Sequence, residues 1–85
     1  MNIQAEVSLY PLRTDALGPV IEGFVANLRR PGLDVEVATM STRIAGELPE
    51  VFLALAEAFA GTAVQQEAVL VVKASNACPQ TNTPP

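Results

Sequence analysis

Three short segments of the chain concentrate the polar side chains that could take part in binding or catalysis. They contain Glu6 and Ser8; Ser41, Thr42 and Arg43; and Ser75 and Asn76. Carboxylate, hydroxyl, amide and guanidinium groups supply hydrogen-bond donors and acceptors that can orient a polar ligand. No segment contains a recognisable pair of nucleophile and base, so these residue types favour binding over catalysis.

The residue types that the chain lacks point the same way. It has no histidine and a single cysteine, Cys78. Zinc sites of the usual Cys/His types and nucleophiles activated by histidine are therefore excluded, and we predict no catalytic residue, no metal ligand and no cofactor. Chemistry based on carboxylates or metals is not strictly excluded. A reactive thiol needs a positively charged neighbourhood, so Cys78 is interpreted as structural or incidental.

Size and charge exclude further classes of protein. The chain has 85 residues, 49% of them hydrophobic, with 5 basic against 9 acidic residues and a net charge of −4. This indicates one small globular domain that does not bind nucleic acid, which requires a basic surface. No apolar run approaches the roughly 18 residues of a membrane span. A lone cysteine and the lack of a signal-like N-terminus predict a cytoplasmic protein without membrane contact.

Hydrophobic periodicity predicts four strands and two helices in the order β-α-β-β-α-β. Residues 3–10 alternate between apolar and polar, which is typical of a half-buried strand. Strands are also expected near 33–39, 42–46 and 68–75, with helices near 14–30 and 47–61. This order predicts an α+β, ferredoxin-like sandwich, in which two helices cover one face of a four-stranded antiparallel sheet. The domain is expected to span residues 1–79, followed by an irregular or disordered tail at 80–85.

Each predicted helix has an apolar stripe and recognisable ends. The first is expected to be capped by Thr14-Asp15, to carry Arg29 and Arg30 in its last turn and to stop at Pro31-Gly32, and the second is expected to end at Gly61. The stripes, both interpreted as core, comprise Val20, Ile21, Phe24, Val25 and Leu28, and Val51, Phe52, Leu55, Ala56 and Phe59.

The last strand differs from the first three. Residues 68–72 form a continuous apolar run, which predicts a strand covered on both faces. Two helices can cover only one face of the sheet, so its other face, partly polar and partly apolar, is expected to serve association, ligand binding or both.

Three segments together resemble a known family. They are residues 7–12 (VSLYPL), 40–46 (MSTRIAG) and 75–79 (SNACP), with Val51-Phe52 in the second helix. Over residues 3–79 the chain resembles the YkoF family of thiamine- and hydroxymethylpyrimidine-binding proteins, within a wider group of small ferredoxin-like thiamine-binding domains. The resemblance implies non-catalytic binding of the pyrimidine part of thiamine. Because YkoF proteins look like two fused repeats, it also implies that single repeats associate through their sheets into a homodimer or tetramer.

The resemblance also implies a site. An aminopyrimidine needs apolar walls, an acceptor for its amine and a donor for its ring nitrogens, so the three segments are expected to converge on one pocket walled by Met40 or Tyr10. The predicted ligand-binding residues are Glu6, Ser8, Tyr10, Met40, Ser41, Thr42, Arg43, Ser75 and Asn76.

Each of these residues also has a simpler interpretation. Glu6 can be a solvated surface acid, Ser41 and Thr42 can satisfy a tight turn, Arg43 can be an exposed or interface cation, and Tyr10 can pack at a strand end. A second class of function therefore stays open beside ligand binding. It is a regulatory or protein-interaction module that uses the open sheet face for assembly alone.

Overall fold

The computed structural model describes residues 1–77. Four strands form one antiparallel sheet in the order β2-β3-β1-β4. They are β1 (Asn2–Pro11), β2 (Asp34–Val37), β3 (Thr42–Glu47) and β4 (Ala68–Ser75). The predicted ferredoxin-like sandwich is confirmed. Cys78 and the predicted tail at 80–85 lie outside the described residues.

Helices α1 (Leu17–Leu28) and α2 (Leu48–Ala63) cover one face of this sheet. Alternate residues of β1 point into the core that the helices close, while the residues between them point to the opposite, open face. The fully buried side chains at the centre are Val7, Leu28, Ile44 and Val51. Burying such aliphatic side chains supplies the main driving force for folding.

The predicted ends of α1 are wrong in detail. Its N-cap is Ala16, which has no side chain able to cap, because the Thr14 hydroxyl instead accepts a hydrogen bond from the Ala16 N–H at 3.0 Å in a turn before the helix. The helix ends at Leu28, so Arg29 and Arg30 lie beyond its last turn. Arg30 still satisfies the C-terminal end by donating to the Asn27 carbonyl at 2.6 Å.

The predicted apolar stripe of α2 is also partly wrong. The helix continues past Gly61 to Ala63, and its buried positions are Val51, Ala54, Leu55, Ala58 and Thr62. Phe52 is 45% exposed and Ala56 is exposed as well. The buried positions form one stripe of the helix, and Phe52, which follows Val51 by about 100° around the helix axis, lies at the side of that stripe.

Strand β4 is not covered on both faces within this chain. It is an edge strand, and its open-face side chains Val69 and Val71 are 46% and 45% exposed. The alternate residues Ala68, Leu70 and Val72 pack against the core. For a single chain the prediction is wrong, because an apolar run does not distinguish a face buried by helices from a face left open.

Candidate ligand-binding site

The two hydrogen-bonding ladders of β1 end at different points along the strand. The β1–β3 ladder ends at the pair Val7–Thr42, whereas the β1–β4 ladder continues to Pro11–Ala68. Residues 8–11 of β1 are therefore paired on one side only within the described chain. The β2–β3 hairpin and the start of α1 border this unpaired side and form with it an open cleft of about 390 Å³.

The cleft has the size and lining of a small-molecule site. Its volume of about 390 Å³ falls in the usual range of roughly 300–1,000 Å³ for ligand pockets. It is lined by residues 7–11 of β1, by Leu17 and Ile21 of α1, and by residues 37–42 of the hairpin. Among these lining residues none carries a charge, and most side chains are apolar. Such a lining suits a flat, neutral ring.

The register of the sheet determines which backbone groups face the cleft. The Leu12 N–H donates to the Glu67 carbonyl, so the even-numbered residues of β1 direct their N–H and C=O groups toward β4. The Leu48 N–H donates to the Met1 carbonyl, so the odd-numbered residues direct theirs toward β3. Both ladders therefore orient the N–H and C=O of Leu9 into the cleft. Neither group has a backbone partner there among residues 1–77.

This gap in the ladder leaves one donor and one acceptor next to each other in a largely apolar cleft. Buried backbone groups are nearly always hydrogen-bonded, to protein, water or ligand. A planar molecule with a ring acceptor beside an amine donor can bond to both Leu9 groups in the manner of a neighbouring strand. An aminopyrimidine has this edge.

A hydrogen bond connects the rim of the cleft to the open face. The Ser41 hydroxyl donates to Oε2 of Glu6 at 3.1 Å, and Nζ of Lys73 lies 3.6 Å from Oε1 of the same carboxylate. Because its proton is used toward Glu6, the Ser41 oxygen is left as an acceptor for a group in the cleft. Thr42 beside it is buried, at 7% exposure.

The open face itself carries a second, shallower depression of about 300 Å³. Four charged residues, one on each strand, lie at one level across the open face. The register pairs Glu36 with Arg43, Arg43 with Glu6, and Glu6 with Lys73. We call these four residues the charge row. The charges of the row alternate in sign from strand to strand. Arg43 Nη2 lies 3.2 Å from Glu36 Oε1, so an ion pair connects β3 to β2 within the row.

The predicted site residues are divided between these two places. Those that line the cleft are Ser8, Tyr10, Met40, Ser41 and Thr42. Those that line the open-face depression are Glu6, Arg43 and Ser75. Asn76 is exposed just after β4. Ser75 pairs with Gln4, toward the end of β1 away from Tyr10, so this chain alone does not bring all three segments to one pocket. Their roles in binding remain predictions.

Eight residues that line the cleft are not among the predicted site residues. They are Val7, Leu9, Pro11, Leu17, Ile21, Val37, Ala38 and Thr39. Ile21 belongs to the apolar stripe of α1 and was interpreted as core, although it is 37% exposed. Periodicity cannot separate the two cases, because an apolar wall and an apolar core have the same spacing.

Within residues 1–77 there is no group of three or more His, Cys, Asp or Glu side chains that could hold a metal ion. No helix in the described part of the chain is both long and apolar enough to cross a membrane.

The fold and the cleft together define a small ligand-binding domain of the ferredoxin-like class. The chain belongs to the thiamine-binding protein family, whose model matches residues 5–81. The resemblance seen in the three segments is thereby confirmed. None of the curated proteins matches the sequence significantly.

Solved structures share the same fold. A hypothetical protein of Methanocaldococcus jannascii is 25% identical, with a TM-score of 0.83 over 96% of this chain and 87% of its own. A Thermotoga maritima protein, provisionally described as a thiamine biosynthesis or salvage protein, is 20% identical, with a TM-score of 0.77 over 87% of this chain and 82% of its own. A Streptococcus pneumoniae protein is 21% identical, with a TM-score of 0.83 over 93% and 90%.

Proposed function

We propose that this protein binds thiamine or its hydroxymethylpyrimidine moiety in the cleft, without catalysis, as a cytoplasmic homo-oligomer. The observation that carries the proposal is the gap in the β1–β3 ladder, which turns the donor and acceptor of Leu9 toward an uncharged, largely apolar cleft. Membership of a thiamine-binding family supports the choice of ligand class.

The pyrimidine edge fits the hydrogen-bonding groups of the cleft. The Leu9 N–H donates to a ring nitrogen, and the Leu9 carbonyl accepts from the exocyclic amine. The Ser41 oxygen, oriented by its bond to Glu6, supplies a second acceptor for the amine. Met40 and Tyr10 provide walls for the faces of the ring. In this arrangement the ligand occupies the place that another strand would take.

The charges around the cleft favour a neutral or cationic ligand over an anionic one. Glu6, Arg43 and Lys73 all lie on the open face and not among the cleft-lining residues, and of the three only Glu6 contacts the rim, through its hydrogen bond from Ser41. The cationic thiazolium of thiamine can thus lie near a carboxylate. A phosphate at the same place would meet no basic side chain of the cleft, so we expect thiamine phosphate to bind more weakly than thiamine.

The open face supports self-association. Val69, Val71 and Tyr10 are each about half exposed there, and an unpartnered apolar sheet surface is typical of an interface. The same observation favours the alternative function, an assembly module that binds no small molecule. Assembly and ligand binding therefore have to be measured separately.

Calorimetric titration with hydroxymethylpyrimidine, thiamine and thiamine phosphate tests the proposal. We expect saturable binding near one ligand per chain for the first two. A 4-oxo analogue of the pyrimidine, which reverses donor and acceptor on the recognised edge, should lose at least about tenfold in affinity, since a buried donor or acceptor left unpaired is penalised. Absence of heat and of thermal stabilisation at millimolar thiamine would favour the assembly module.

A further inference from the structure

The charge row reads negative, positive, negative, positive across the sheet, from β2 through β3 and β1 to β4. Read from the opposite edge, the order of signs is inverted. Two copies of the sheet can be placed open face to open face, with β2 of each copy opposite β4 of the other. Every charge of one row then faces an opposite charge of the other row. A sheet whose open face carries such a row is complementary to a second copy of itself in one orientation.

We propose that the charge row selects this orientation, so that the protein pairs with a second copy about a two-fold axis that runs along the strands. The inference rests on the proposed self-association through the open face. Packed sheets keep their strand directions within about 30° of each other at a separation of about 10 Å, so charged side chains of the two sheets can meet. Glu36 then faces the partner's Lys73, and Arg43 faces the partner's Glu6.

On each strand, the open-face residues two positions before and after the row form the next levels of that face. The polarity of these levels fits the same two-fold axis. A rotation about the strand direction keeps each level opposite itself, so the apolar end of the face, with Tyr10 and Val69, meets the apolar end of the partner. At the level next to the row on the Tyr10 side, Ser8 of β1 pairs with Val71 of β4, and Ala38 occupies the same level two residues after Glu36. The partner's Val71 then lies over Ala38 of the hairpin, beside the cleft. Val69 and Val71 become covered, which accounts for the apolar run in β4.

The competing two-fold axis runs across the strands. It places each strand on its own copy, so Glu36 would face the partner's Glu36 and Lys73 the partner's Lys73. It also reverses the levels, so that the apolar end would meet the polar end with Gln4 and Ser75. Like charges opposed across an interface suppress the wrong pairing, while opposite charges contribute to orientation more than to affinity.

Reversal of the whole row tests the proposal. The variant with Glu36→Lys, Arg43→Glu, Glu6→Lys and Lys73→Glu keeps the net charge and the alternation within each sheet. We expect it to pair with itself as the native chain does. Mixed with the native chain, it should form mixed dimers at less than about a tenth of the share that random pairing gives, because like charges then oppose each other along the row.

Native mass spectrometry of the mixture measures that share. Mixed dimers at or above the random share overturn the proposal, since random pairing means that the row has no role and an excess indicates the axis across the strands. A monomeric native chain at high micromolar concentration also overturns it. Thiamine titration of the native chain is a separate readout, so failure of this inference does not imply failure of ligand binding.

Cysteine cross-linking provides a second readout that does not depend on the fourfold variant. In a Cys78→Ser background, Glu36→Cys and Lys73→Cys are prepared as separate chains and treated with a short bis-maleimide. Cys78 is the single cysteine of the native chain, so each variant then carries one cysteine and every cross-link joins two chains. We expect cross-links when the two variants are mixed and none from either alone. Cross-linking of Glu36→Cys with itself would overturn the proposed axis.

Discussion

The two faces of the sheet are built from the same strands but differ in burial and charge. On β3, Thr42 and Ile44 point toward the helices and are 7% and 0% exposed, while Arg43 between them points to the open face with its guanidinium in an exposed ion pair. The helix-covered face is therefore the source of stability. The open face can change its residues without loss of the fold, and so can specify a partner.

The cleft is lined by residues from both faces of the sheet. Its lining takes Val7, Leu9 and Thr42 from the helix-covered set and Ser8, Tyr10 and Ser41 from the open set. A ligand site at this point gains apolar walls from one face and polar groups from the other. The comparison predicts that substitutions on the buried face act on folding, those in the cleft on binding, and those in the charge row on pairing.

The largest effect is expected in the core. Ile44→Ala should lower the free energy of unfolding by about 2–5 kcal/mol, because it removes a completely buried side chain and leaves a cavity. Urea denaturation measures the change. The control is Arg43→Ala on the open face of the same strand, where an exposed ion pair contributes about 1 kcal/mol or less. Equal losses at the two positions would contradict the division between the faces.

A bulky side chain in the cleft should block the ligand while the fold is kept. Val37 is 58% exposed and lines the cleft, so Val37→Trp places an indole in the ligand's space with little disturbance of the core. We expect thiamine affinity to fall by at least about tenfold, which corresponds to about 1.4 kcal/mol. Val64→Trp, at an exposed position after α2, is the matched control. Full-strength binding by the Val37 variant would place the ligand elsewhere.

A smaller effect is expected at the rim. Ser41→Ala removes both the bond to Glu6 and the acceptor offered to the ligand, so affinity for hydroxymethylpyrimidine should fall by about three- to tenfold. Calorimetry measures this, with Gln4→Ala on the open face as a control. Unchanged affinity would show that the Ser41 hydroxyl only connects the hairpin to Glu6 of β1.

The smallest effect on stability is expected in the charge row. Lys73→Gln removes one exposed partner of Glu6 and should change the free energy of unfolding by less than about 1 kcal/mol. Self-association should nevertheless weaken by several fold and become less sensitive to salt. Analytical ultracentrifugation at low and high ionic strength makes the comparison. A variant that unfolds easily, or that pairs as strongly as the native chain at low salt, would contradict this role.

Much of the fold follows from local patterns. The alternation in residues 3–10 predicts β1, and the order of strands and helices predicts the sandwich. The errors fall where local signals compete. Thr14 has the chemistry of an N-cap but closes a turn, and Phe52 is apolar but lies outside the stripe that the alanines Ala54 and Ala58 bring to the sheet.

The candidate site was predicted only in part. Ser8, Met40, Ser41 and Thr42 lie in segments whose composition drew attention to them, and the structure places all four at the cleft. The Leu9 backbone carries no signal in the sequence, because every residue has the same donor and acceptor. Only the end of the β1–β3 ladder at Val7–Thr42 leaves those of Leu9 turned into the cleft.

By itself, the sequence determined the element order, the apolar content of the strands and the absence of histidine chemistry, because these depend on residue type and short-range spacing. Only the tertiary structure decided that Glu36, Arg43, Glu6 and Lys73 form one row and that the cleft is uncharged. These properties depend on strand order and register. Both result from packing between residues that are distant in the chain, and no local pattern encodes them.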